Sequence, residues 1–285
     1  MNPVEQSITK PEALGREPLT ALQGIIIPLG QQSQGRGKQN NEPPLKPESL
    51  KKARVLSIVS AKGGVGKTTI TANLGVLLAK EHKIKCLVID ADLYLPSLGF
   101  HVDLIDPDVT IHDVLKGRFA MKQAIHVYEY GLHVIPGSVS EENTPSNDLK
   151  NEIGQVLNQY DVILIDTMPC IDQDLKNIVA ASSEMLIVTS PDLSSMTASL
   201  KAVKLARTLG IPVRGVVLNK VRKKSYELNL MEIETALSAH VLASIPDDSK
   251  VYEALFEKRP VVLYAPKSPA SNELRRLASV LAQED

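Results

Sequence analysis

A chain of 285 residues with 43% apolar content and a formal charge of −1 can bury one substantial core or two small ones. The near-neutral balance, with an isoelectric point near 6.6, argues against a protein that coats nucleic acid along its whole surface, and leaves room only for a local basic patch. Two cysteines, Cys86 and Cys170, exclude a disulfide framework, and there is neither a Cys-x-x-Cys pair nor a metal-ligand spacing among the six histidines.

The first 53 residues hold seven of the 18 prolines and the polar stretch GQQSQGRGKQNNEPPLKPES. Such a composition cannot offset the entropy of ordering the chain, so residues 1–53 read as a largely disordered Pro/Gln-rich tail and residues 54–285 as the folded domain. Within the tail, LTALQGIIIPLG (19–30) reads as an apolar segment that docks on its own domain. The alternative is a linear motif for a partner or a membrane surface; Gly24 and Pro28 break any amphipathic helix there. No apolar run approaches the ~20 residues that span a bilayer. The N-terminus lacks a signal peptide's basic start and long apolar stretch, so a reduced, cytoplasmic protein is expected.

From Arg54 onward, short apolar runs alternate with segments of helical period. RVLSIVS, CLVID, HVIPG, DVILID, EMLIVTS, GVVLNK and VLASIP are rich in Val, Ile and Leu, as strands covered on both faces are. TTITANLGVLLAKE and DLKNEIGQVLNQY carry the helical period between them. This alternation predicts an α/β fold with a doubly wound, mostly parallel sheet and helices on both faces. In that architecture ligands sit at the carboxyl ends of the strands.

The first strand runs into AKGGVGKTT, and a helix follows. A glycine-rich turn of this kind aims several backbone N–H groups at one spot, and the helix N-terminus adds about half a positive charge. Gly63, Gly64 and Gly66 let the backbone approach phosphate oxygens without a Cβ in the way. In a phosphate loop, Lys67 bridges the β- and γ-phosphates, the Thr68 hydroxyl holds Mg²⁺ and Thr69 reaches the α-phosphate. A dinucleotide fingerprint starting at Gly64 fails at Thr69, where a third glycine belongs.

Ala61-Lys62-Gly63-Gly64-Val65-Gly66-Lys67-Thr68-Thr69 resembles throughout the deviant phosphate loop of the MinD/ParA ATPases, whose first position is free. The resemblance implies a phosphate-loop NTPase fold that binds ATP and Mg²⁺. It also implies that Lys62 reaches across a two-fold interface to phosphates held by the partner subunit. Asp90 and Asp92 in CLVIDADLYLPSLG match the family's first switch, which places both, with Thr68 and Asp166, at the expected Mg²⁺ site, the second acid orienting the attacking water. Asp166 in DVILIDTMPC matches the residue that holds Mg²⁺ through water; Asn219 matches the adenine-contacting Asn, and Pro246, Asp247 and Asp248 border the adenine. The likeness runs from Arg54 to Ala282 and favours a MinD-like member.

There are departures. Cys170 stands where the second switch has glycine, and reads as a small packed thiol. Met196-Thr197-Ala198 stand where MinD-like chains carry an acid early in a helix. The chain closes on LASVLAQED, without the basic amphipathic helix by which bacterial MinD proteins attach to membrane. Lys201, Lys204 and Arg207, with Lys220, Arg222, Lys223 and Lys224, make a basic surface of the type that ParA proteins use on DNA. The expected function is therefore a homodimerising, Mg-ATP-dependent switch that positions or recruits a partner, as in cell division. It would act in the cytoplasm or peripherally at a membrane or the nucleoid, with an activating or cargo protein as second partner. A DNA-partition ATPase and a nucleotide-stabilised adaptor working through the tail are the alternatives.

Overall fold

The computed structural model describes residues 53–140 and 148–283, so the N-terminal tail and its 19–30 stretch lie outside the described residues. The first half of the domain runs β1 (Arg54–Val59), α1 (Lys67–Lys80), β2 (Cys86–Ala91), α2 (Leu98–His101), α3 (Ile111–Leu115), β3 (His126–Val127), β4 (His133–Ile135) and α4 (Leu149–Gly154). The second half runs β5 (Val162–Thr167), α5 (Gln173–Val179), β6 (Glu184–Thr189), α6 (Leu193–Leu209), β7 (Val213–Val221), α7 (Leu230–Leu237), β8 (Val241–Pro246), α8 (Ser249–Phe256), α9 (Val261–Tyr264) and α10 (Pro269–Ala282). The strands form one sheet in the order β3-β4-β2-β5-β1-β6-β7-β8. All pairs are parallel except β3 with β4 at the edge.

Alternation along the central strands divides their apolar side chains between two cores. In β1, Val55 and Val59 join Ile111, Leu149, Leu175, Ala202 and Ile233 from α3 to α7 on one face. Leu56 and Ile58 join Ile70, Ala254, Val261 and Leu274 from α1 and α8 to α10 on the other. Helix α1 lies deep in that second layer, with Leu74, Leu77 and Leu78 almost wholly buried. Its Asn73 is buried too: Nδ2 donates to Thr69 O at 2.7 Å, and Oδ1 accepts the Val262 N–H at 3.0 Å, tying α1 to α9. The helix that carries the phosphate-loop lysine is thus held on all sides, so its N-terminus is a fixed reference point.

Two expectations needed correction. Residues 148–160 are not one helix: α4 ends at Gly154, a poor helix former, and only a short 3₁₀ turn follows at Leu157–Gln159. The two-residue antiparallel strand β3, too short to carry a periodic signal, was not expected.

Candidate nucleotide site

Strand β1 delivers the loop to the carboxyl edge of the sheet, between β5 and β6. Gly66 caps α1 with φ of +93°, and a Cβ there would also collide with the Asn219 amide. Only glycine satisfies both conditions. Asn219 Nδ2 donates to Val65 O at 2.7 Å and Lys220 Nζ to Gly64 O at 2.7 Å, so the end of β7 braces the loop from the side. No acidic residue occupies the first turn of α1, which leaves its N–H groups and dipole to an anion.

The loop floors a cavity of about 730 Å³. Gly63, Gly64, Gly66, Lys67, Thr68, Thr69 and Asp92 line one end; Asn219, Pro246, Asp247 and Asp248 lie along the side, with Phe100, Tyr252 and Phe256 adding apolar and aromatic surface. That is room for a nucleotide, with phosphate donors from the loop and flat apolar groups in the same lining. Lys67 is 7% exposed, and its ammonium makes no hydrogen bond among the described residues. Burial lowers its pKa, opposed by the nearby Asp166 and Asp92. The buried cation therefore lacks a close anionic partner, and a phosphate group would supply one.

Beneath the loop sit two carboxylates. The parallel register of β2 and β5 places Asp90 beside Asp166, both wholly buried. Burial and the Asp166 charge push the Asp90 carboxyl well up. Burial likewise pushes Asp166 up to about 6, against the pull of Lys67. Their hydrogen bonding differs. Asp90 accepts backbone N–H groups from Asp92, Ser97 and Leu98, so its oxygens hold the turn after β2. Asp166 Oδ1 accepts from Thr71, while Oδ2 is buried with no partner. Asp92 reaches the cavity, oriented by the Leu95 N–H on Oδ1 at 3.0 Å, and burial raises its pKa.

Lys62 lies apart from this cavity. Its ammonium pairs with Asp192 Oδ1 at 3.1 Å, both side chains being near half exposed. Asp192 caps α6 and is held well below the usual carboxylate range: a burial penalty is outweighed by hydrogen bonds from Ser195 and Ser190 and by Lys62. Met196-Thr197-Ala198 carry no acid, but Asp192 stands one turn earlier, as the cap of the same helix. Asp192 and Ser195 have the spacing of a helix cap, a local signal for this acid that the resemblance does not carry. Ala61 faces a second groove, of about 410 Å³, with Lys176, Lys201 and Lys204.

The expected basic surface is divided. Lys201 and Lys204 line that groove, Lys220 is bound to the loop, and Arg222 pairs with Asp247 at 2.7 Å. Cys170 is exposed rather than packed, and its thiol donates to Asp172 Oδ2 at 3.0 Å. Partial burial of the sulfur and the Asp172 carboxylate push that thiol up to about 11, which keeps it protonated near neutral pH. Among the described residues no helix is long and apolar enough to cross a membrane.

Comparison with known proteins agrees with this geometry. Residues 56–261 match the CobQ/CobB/MinD/ParA nucleotide binding domain. An uncharacterized ATP-binding protein of Methanocaldococcus jannaschii is 33% identical over 231 residues, 80% of this chain and 88% of its own. Among solved structures, the cell division ATPase MinD of Pyrococcus furiosus superposes with a TM-score of 0.76 at 33% identity, covering 80% of this chain and 98% of that one. The septum site-determining protein MinD of Pyrococcus horikoshii, complexed with Mg-ADP, gives 0.76 at 31% identity, covering 80% and 96%. A strand-to-helix glycine loop, two strand-end carboxylates and a match over four-fifths of the chain together settle the kinship: the protein belongs to the MinD/ParA ATPase family, as a MinD-like member.

Proposed function

We propose that this chain is an ATP-switched homodimer that hydrolyses ATP to ADP and phosphate and uses the cycle to position or recruit a partner protein. The observation that carries the reading is the placement of Lys62. It stands on the phosphate loop yet outside its own nucleotide cavity, held by one ion pair with Asp192. Exposed pairs of this sort contribute about 0–1 kcal/mol. A triphosphate presented by an apposed copy is a stronger partner, since a desolvated, charge-assisted contact outweighs a solvated one. Lys62 can therefore leave Asp192 at little cost when ATP brings two copies together. To act as a switch, ATP must favour the dimer over ADP by several kcal/mol.

Within one subunit the geometry supports a division of labour. The glycine loop and Lys67 hold the phosphates, and the side of the cavity at Asn219, Pro246, Asp247 and Asp248 takes the adenine. The donors near the loop fit Mg²⁺: the Thr68 hydroxyl and the unpartnered Asp166 Oδ2 are hard oxygens, and a metal that keeps waters and phosphate oxygens needs few protein ligands. Bound there, Mg²⁺ would offset phosphate charge. Asp92 completes the site by orienting water toward the terminal phosphate, and Asp90 is left to hold the turn that carries Asp92. The committed Lys220 and Arg222 leave the DNA-partition reading with a smaller basic surface than the sequence suggests.

Asp92→Ala tests the hydrolytic half of this reading. Phosphate release should fall by roughly 10²-fold or more while Mg-ATP binding persists, and the ATP-bound dimer should accumulate. Unchanged turnover would remove Asp92 from the reaction.

A further inference from the structure

Thr69, the loop residue nearest the expected α-phosphate, is already hydrogen-bonded. Its Oγ1 lies 3.1 Å from His101 Nε2, and His101 Nδ1 lies 3.0 Å from Ser97 O. A carbonyl oxygen only accepts, so Nδ1 carries a proton. In the neutral ring Nε2 is then bare, and Thr69 must donate its hydroxyl proton to it. This leaves Thr69 facing the cavity with lone pairs, the wrong polarity for a phosphate oxygen. If Thr69 turned its proton to phosphate, Nε2 of a 7% exposed histidine would lose its partner. A buried polar atom left in that condition is costly. Protonating Nε2 removes the conflict: the imidazolium donates to Thr69 Oγ1, and the threonine proton is free for phosphate.

We propose that His101 is a positioning residue for the phosphate loop, and that nucleotide binding is coupled to uptake of a proton on its Nε2. The proposal rests on the nucleotide reading above. Burial lowers the pKa of His101 in the empty protein, and phosphate charge beside the cavity raises it. Other titratable or charged groups lining the cavity are Lys67 and Asp92 at the loop, Lys220 and Asp247 at the ends of β7 and β8, and Asp248, Tyr252 and Lys258 in and around α8. Asp103, just past α2, is paired with Lys258 at 3.4 Å. None forms a hydrogen bond to the ring. Linkage fixes the sign: affinity rises as pH falls between the pKa values of the bound and empty states, by up to tenfold per unit of difference.

The test is calorimetric titration of the full chain with Mg-ADP, in pairs of buffers with different ionisation enthalpies, between about pH 6 and pH 8.5. His101→Gln, which cannot titrate, and His101→Leu are run beside it, with folding checked by circular dichroism. ADP is not hydrolysed, and its own proton release is common to all three proteins. The wild type should take up a sizeable fraction of a proton more than either variant near neutrality. Its affinity should be about three- to tenfold tighter at about pH 6 than at about pH 8, a slope the variants lack. Equal proton uptake and parallel pH profiles in all three would overturn the proposal while leaving the nucleotide site intact. Failure of the wild type to bind Mg-ADP at any pH would overturn both.

Discussion

Lys67→Ala should weaken Mg-ADP and Mg-ATP binding by roughly 10²–10³-fold, the equivalent of removing one partner from a buried charged contact. The expectation follows from where the ammonium sits. It is nearly inaccessible, has no hydrogen bond among the described residues, and is kept charged against burial by the fields of Asp166 and Asp92. A bound phosphate converts this strained cation into a paired one, so much of the binding free energy is gathered at one atom. The same substitution leaves Asp90 and Asp166 without a neighbouring cation, which adds to the repulsion a bound phosphate meets. Titration calorimetry reads the effect directly. A loss smaller than about tenfold would mean that the backbone N–H groups of the loop carry the phosphates nearly alone.

The second large effect concerns Asp166 and has opposite signs in the empty and loaded protein. Asp166→Asn should raise the stability of the nucleotide-free chain near pH 7.5 by on the order of 1–3 kcal/mol, and abolish the stabilisation that Mg²⁺ adds to nucleotide. Two buried carboxylates stand side by side in the register of β2 and β5, and one oxygen of Asp166 has no partner. Because burial raises the folded-state pKa of Asp166 to about 6, the folded protein holds that proton more tightly than the unfolded chain does. Its contribution to stability is therefore present in full below the unfolded pKa near 3.8 and lost as pH rises through about 6. Denaturant melts of wild type and variant should converge in acid and separate above neutrality. A variant less stable at pH 7.5, or one still stabilised by Mg²⁺ with nucleotide, would contradict the assignment.

How much of this was legible before the structure depended on how local each feature is. The glycine loop is contiguous, with its glycines, lysines and threonines within nine positions, so its strand, turn and helix could be read directly, whereas the bracing by Asn219 and Lys220 could not. Asp92 and Asp166 were legible for a related reason: each ends an apolar run, and strand ends are where such a sheet presents ligands groups. Asp90 has the same signature but a different environment. Only the backbone path through Ser97 and Leu98, which brings two N–H groups to one oxygen, reveals that it holds a turn. Lys62 and Asp192 are 130 residues apart, and nothing local in the chain pairs them. His101 belongs to a four-residue helix, too short for any periodicity, and Cys170 looked like a core thiol because its type is usually buried. The broken helix at Gly154 is the converse case: apolar period continued through a residue whose backbone preference ended it.

On the proposed function, a triphosphate joins two copies because each lends Lys62 to the other's phosphates. Sedimentation velocity of the wild type and of Lys62→Ala, each saturated with Mg²⁺ and a non-hydrolysable ATP analogue, addresses it most directly. The wild type should sediment as a dimer, and Lys62→Ala as a monomer that still binds the analogue. A wild type that stays monomeric when saturated, or a Lys62→Ala variant that dimerises as well as the wild type, would contradict it.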